Sequence, residues 1–152
     1  GGANIKTLLK LCPNGKVHGI DYSAISVEKA RKVNARAIAA GRCAVQQASV
    51  TELPFKAEQF DVVTAFETVY FWPELAQNFR EVYRVLKPGG VFFICNEANG
   101  ETTKDDKWTQ IINGMTIYTD TALKAYLEQA GFCQIQSHKN KKGWLCVTAQ
   151  KR

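Results

Sequence analysis

The sequence predicts an α/β fold, a doubly wound and mostly parallel sheet that ends in an antiparallel hairpin. Three features predict it. Residues 60–98 read as strand, loop, helix, tight turn and strand, one complete βαβ unit. Two more short runs with strand character, 17–20 and 43–48, flank a helical pattern, as parallel strands joined by a crossover require. Residues 132–137 and 143–150 read as two strands joined by the basic turn Lys139-Asn140-Lys141-Lys142. A chain of 152 residues holds all of this in one domain, 1–152, with no internal repeat or dividing linker.

In the βαβ unit, Phe60 to Ala65 is nearly continuous in apolar character, as expected of a strand buried on both faces. Glu67 to Trp72 is a loop carrying a carboxylate and aromatic rings, and Pro73 suits a first helical position. Leu75, Phe79, Val82, Tyr83 and Leu86 share a helical face, with Glu74, Arg80, Glu81 and Arg84 mostly away from it. Lys87-Pro88-Gly89-Gly90 is expected to end the helix and turn the chain into a strand that finishes at Asn96-Glu97. In open α/β sheets the carboxyl ends of the strands hold the ligand. That places Glu67, Tyr70, Trp72, Asn96 and Glu97 where chemistry is expected.

Earlier in the chain, Gly1-Gly2-Ala3 leads into a short helix over 4–11, and glycines there let a ligand approach the helix N-terminus. The first strand ends at Asp21, followed by Tyr22 and Ser23; a carboxylate there either accepts ribose hydroxyls or caps the next helix. That helix is expected over 24–40, closed by Gly41 in a left-handed cap. After Ala98, residues 99–107 are polar and read as a flexible segment. Trp108, Ile111, Ile112 and Met115 follow at helical spacing, as a cover over the site or as packing under a loop. Thr119 or Asp120 caps a last helix with Leu123, Tyr126, Leu127 and Ala130 inward.

Composition excludes several classes. No apolar run approaches the roughly 20 residues of a membrane helix, and the N-terminus lacks a secretory layout. The five cysteines are scattered, with no CxxC, and Cys95 and Cys146 sit in apolar strand patterns as small buried hydrophobes. This argues for a reducing, cytoplasmic compartment and against a disulfide scaffold. The two histidines have no partner at ligand spacing, so no metal is expected. The net charge of +6 concentrates at Lys29, Arg31, Lys32 and Arg36 and in the hairpin turn, so nucleic acid is a possible partner but not the favoured one.

The ordered set GGAN, GIDYS, ASVTELPF, FDVVTAFETVYFWP, LKPGG and the closing hairpin resembles the class I S-adenosylmethionine-dependent methyltransferases. The likeness is greatest to the ubiquinone- and menaquinone-biosynthesis-type branch. It implies a Rossmann-like sheet and S-adenosylmethionine as cofactor. It implies that Gly1 and Gly2 lie beside the methionine portion and that Asp21 holds the ribose. Tyr22 would lie on the adenine face with Ser23 adjoining, and Ala48, Ser49 and Val50 at the adenine edge. Phe66 and Glu67 would border the sulfonium, and Tyr70 to Trp72 would face the acceptor; Asn96, at its strand end, and Tyr118 are further candidates for the acceptor side. Ser49 stands where many relatives carry an aspartate. The resemblance also implies that the family's first, central strand is missing here, so two strand edges are expected to lack a neighbour.

The resulting expectation is methyl transfer to a small-molecule acceptor, mainly by positioning. Glu67 or Glu97 would serve as base for a hydroxyl or carbon acceptor. Methylation of RNA or protein, a binding domain without catalysis, and a dehydrogenase are the rivals, and an oligomer is compatible with each.

Overall fold

The computed structural model describes residues 2–152, in which the chain forms two compact units, one ending at Ser49 and one starting at Val50. The first contains α1 (Ala3–Leu11), β1 (Val17–Asp21), α2 (Ala24–Val33), α3 (Ala35–Ala39) and β2 (Cys43–Gln47). β1 and β2 are parallel, with Val17 opposite Cys43 and Asp21 opposite Gln47. Leu9, Val17, Val27, Ala30, Cys43 and Val45 form its core.

The single helix expected over 24–40 is two. Asn34 leaves helical geometry, with φ −109° and ψ 17°. Its buried amide explains the break, since Nδ2 donates to Gly2 O at 3.0 Å and to Ala30 O at 2.9 Å. Gly2 has φ +92°, and a Cβ there would lie 2.8 Å from Ala30 Cα. A glycine is therefore required at this position by helix packing alone.

The second unit contains β3 (Phe60–Phe66), α4 (Leu75–Val85), β4 (Leu86–Asn96), α5 (Thr103–Ile111), α6 (Asp120–Gln129), β5 (Cys133–Lys139) and β6 (Leu145–Gln150). Its sheet has the order β3-β4-β6-β5. β3 and β4 are parallel, whereas β6 runs antiparallel to both β4 and β5. The C-terminal hairpin is thus as expected, and it joins the sheet through β6. β1 and β3 each end the strand order of their own sheet.

Four local expectations are corrected. α4 begins at Leu75 after Glu74, a residue with φ +45°, so Pro73 lies before the cap rather than in the first turn. The amide of Asn78, itself 1% exposed, donates back to the Pro73 carbonyl and fixes this entry. The Lys87–Gly90 segment is a bulged start of β4: Phe60 pairs with Leu86, yet Val62 already pairs with Val91. A Cβ at Gly90 would come within 2.8 Å of Lys87 O, which explains glycine there. β3 is not buried on both faces, because it is an edge strand and Val62 is 55% exposed. Cys95 and Cys146 are likewise only half-buried.

The 99–107 segment is also more ordered in form than its polar composition suggests. α5 starts inside it, and the buried Asp105 carboxylate accepts from Asn99 N at 3.2 Å and Gly100 N at 2.8 Å. Trp108 and Ile111 on α5 are 51% and 73% exposed, so they are not packed beneath a loop. Among the described residues no helix is long and apolar enough to cross a membrane.

The core of this unit lies on the face of the sheet that α4 and α6 cover. Phe79 and Phe92 are fully buried and meet edge to face at 5.5 Å, and Leu123, Leu127, Leu145 and Val147 are fully buried too. Thr119 caps α6, its Oγ1 accepting from Ala122 N at 3.2 Å. Phe79→Ala would remove a ring that touches both Phe92 and Trp72. The expected cost is about 3–5 kcal/mol of stability, read as a lower urea midpoint.

Candidate functional site

In the first unit the groups of interest follow the end of β1. Asp21 is its last residue; Oδ1 accepts from Ser23 N at 2.9 Å, and its main-chain oxygen accepts from Ala48 N at 3.0 Å. The capping expectation is therefore met in part. The helix cap itself is Ser23, whose Oγ accepts from Ser26 N at 3.3 Å. Asp21 Oδ2 has no partner among the described residues. Tyr22 is 77% exposed, although its carbonyl is held by Gln47 Nε2 at 2.9 Å. A carboxylate with one open oxygen beside a solvent-facing aromatic ring suits a nucleoside, which offers a hydroxyl pair and a flat base. Gly1 lies outside the described residues, and Ser49 is exposed.

In the second unit a network joins the ends of β3 and β4. Phe66 packs edge to face on Phe93 at 5.7 Å. Glu67 follows with φ +55°, a left-handed conformation that is strained for a side chain of this size. Its N–H continues the ladder to Cys95 O at 3.0 Å. Its carboxylate Oε1 accepts the Glu97 N–H and the Tyr70 hydroxyl, the latter at 3.3 Å. The Tyr70 oxygen in turn accepts from Ala98 N at 2.9 Å.

Burial pushes the Glu67 carboxyl above its ordinary range; the Glu97 N–H opposes the shift and the Glu97 carboxylate adds to it. Burial also pushes the Tyr70 phenol far up, despite the opposing Ala98 hydrogen bond, so it stays neutral and able to donate.

The remaining predicted positions divide. Glu97 is exposed and contributes its main-chain N–H to the network. Trp72 does not face open space: its indole stacks on Phe92 at 6.2 Å and meets Phe79 at 6.1 Å. Asn96 is 0% exposed, since the strand alternation turns it towards the helix-covered face with Phe92 and Ile94. Neither polar atom of its side chain has a partner. Tyr118 is half-buried against Tyr126 at 5.9 Å, and burial raises its phenol as well. Val50 is half-buried at the start of this unit.

Sequence reasoning missed the turn held by Asp105. Beside it lies a pocket of about 290 Å³, bounded by Gly100, Asp105, Thr109, Met115, Thr116 and Ile117. The available signal was two acidic residues after Thr102-Thr103, the composition of a helix first turn. Among the described residues no group of three or more His, Cys, Asp or Glu side chains is placed to hold a metal ion.

Parallel strands joined by helices, followed by a parallel βαβ unit, place the chain in the Rossmann-like α/β class. The chain belongs within that class to the methyltransferase domain family, whose model matches residues 1–94. It is 33% identical over 99 residues to a demethylmenaquinone methyltransferase of Symbiobacterium thermophilum, covering 65% of this chain and 39% of that protein. It is 32% identical over 101 residues to sterol methyltransferase-like 1 of Botryococcus braunii, covering 65% of this chain and 26% of that one. The matched stretch thus spans about a quarter to two fifths of these relatives' length. An S-adenosylmethionine-dependent methyltransferase of Aquifex aeolicus shares the fold, with a TM-score of 0.79 and 19% identity over 99% of this chain and 78% of that one.

The raised Glu67 carboxyl has a measurable consequence. Its unfolded value is near 4.5 and its folded value is higher, so its contribution to stability is complete below the unfolded value and is lost as pH rises through the folded one. Glu67→Gln imitates the protonated side chain. Its urea midpoint relative to the natural chain should therefore rise as pH increases from below the unfolded value to above the folded one, modestly because the carboxylate is partly solvated. A difference that is flat with pH would contradict the assignment.

Proposed function

We propose that the chain is the methyltransferase domain, or part of one, of an enzyme that methylates a small molecule from S-adenosylmethionine. The observation that carries this reading is Asp21: a carboxylate at the end of β1 with one oxygen fixed by Ser23 N and the other open, in a chain matched by the family model. The match crosses the boundary between the two units, which supports treating residues 1–152 as one functional domain. Relatives named for quinone and sterol methylation support a small, apolar acceptor. The free cysteines fit a reducing compartment such as the cytoplasm.

Asp21 would hold the ribose hydroxyls and the exposed Tyr22 ring the adenine, with Ser23, Ala48 and Ser49 nearby in the first unit. When bound, S-adenosylmethionine supplies a methyl group already activated by its sulfonium. The residues then have to bind, orient and exclude water, which is where effective molarity arises. Glu67 is the group we assign to a proton. Oε1 is occupied by Glu97 N and Tyr70, so its second oxygen is the one that takes a proton from a hydroxyl or carbon acid. A carboxyl held above its ordinary range by burial is better matched to that task than an ordinary one. Glu97 contributes through its main chain. Strain at a residue such as Glu67 is kept where surrounding bonds over-determine it, a pattern that concentrates at active sites.

Calorimetric titration with S-adenosylhomocysteine tests the reading. Asp21→Ala should weaken binding about ten- to a hundredfold, the worth of hydrogen bonds to a charged group. Asp21→Asn keeps an acceptor for Ser23 N and guards against a loss caused by misfolding. No binding to the natural chain, or an affinity untouched by Asp21→Ala, would overturn it.

A further inference from the structure

Cys95 on β4 and Cys146 on β6 are direct partners in the antiparallel register, and their sulfur atoms lie 3.3 Å apart. Both are free thiols and both are half-buried, on the sheet face opposite Phe92 and Ile94. The backbone defines the type of pair. Cys95 O accepts from Glu67 N on the β3 side, so the main-chain groups of Cys95 point away from β6. The couple is therefore a non-hydrogen-bonded pair, the kind with Cα atoms about 4.5 Å apart and side chains closest. That typical separation lies at the short end of the window a disulfide needs, about 4.4–6.8 Å, and the 3.3 Å between the sulfur atoms shows that the side chains already face each other.

We propose that Cys95 and Cys146 form a reversible dithiol–disulfide site, oxidised by low-molecular-weight disulfides. The reaction is two exchanges. One thiol, as its thiolate, attacks a sulfur of the small disulfide, forming a mixed disulfide and releasing one small thiolate, which takes up a proton. The second protein thiol then loses its proton and attacks the protein sulfur of the mixed disulfide, releasing the other small thiol. Two protein thiols are oxidised, and one small disulfide is reduced to two thiols. Burial pushes the Cys95 thiol up to about 12, with the neighbouring Cys146 sulfur as the next cause. That slows both exchanges at neutral pH, and either thiol can make the first attack.

The pair also borders the carboxylate network. Cys95 O holds Glu67 N, and Glu97, whose N–H holds the Glu67 carboxylate, comes two residues after Cys95. Oxidation would fix the tip of β4 against β6 beside the proposed base, but the thiol chemistry does not depend on methyl transfer.

The test uses the full chain incubated with oxidised glutathione, then alkylated with iodoacetamide, digested and analysed by mass spectrometry. The expected product is one linked peptide pair containing Cys95 and Cys146, with neither thiol alkylated and both restored by dithiothreitol. In Cys95→Ser the resolving thiol is gone, so glutathione should remain attached to Cys146. Alkylation of both cysteines in the natural chain while exposed Cys12 takes up glutathione would overturn the proposal. So would glutathione retained on Cys146 in the natural chain, which would mean that Cys95 cannot resolve it.

Discussion

Alternation along β4 sets the arrangement of the whole larger unit. With a side-chain period of two, Phe92, Ile94 and Asn96 must face the helices, and Val91, Phe93 and Cys95 must face the other way. The first set builds the core against Phe79. The second is only half-covered and brings the thiols together. Because β4 is flanked by β3 and β6, a one-residue slip would exchange these two sets and disrupt both partners. The register is therefore held by packing, and the positions just beyond the strand end inherit its accuracy. Buried Lys151 adds to it, with Nζ donating to Leu86 O at 2.8 Å and lying over the Tyr83 ring.

Glu67 shows how that accuracy is used. After its N–H completes the ladder with Cys95, the chain must leave the sheet, and it does so in a left-handed conformation that costs about 1–3 kcal/mol. The Glu97 N–H and the Tyr70 hydroxyl offset that cost by holding the carboxylate. Tyr70 is in turn held by Ala98 N. Strain, burial and hydrogen bonding thus converge on one carboxylate.

Much of this was legible because periodicity reports burial. The βαβ unit over 60–98, the hairpin and the inward faces of α4 and α6 followed from apolar spacing, and the family from the order of short motifs. What was not legible depends on single side chains acting on distant backbone. Asn34 breaks a helix by bonding to Gly2, and Asn78 sets the entry to α4 through Pro73. Asp105 ties down a turn whose polar composition suggested flexibility. Asn96 and Trp72 were misjudged for the opposite reason. Proximity to a strand's carboxyl end does not say which face a residue takes: alternation turned Asn96 into the core, and Trp72, beyond the strand, is half-buried against Phe92 and Phe79.

The pairing of Cys95 with Cys146 follows from the same logic one strand further on. The two residues are 51 apart in sequence, and no spacing rule joins them. Only the antiparallel addition of β6 to β4 puts them opposite each other, and only the ladder direction at Cys95 decides that the pair is the close kind. The two sulfur atoms already meet at 3.3 Å, so oxidation joins side chains that face each other across the ladder. Thiol chemistry and the strained carboxylate are then two uses of one rigid strand end.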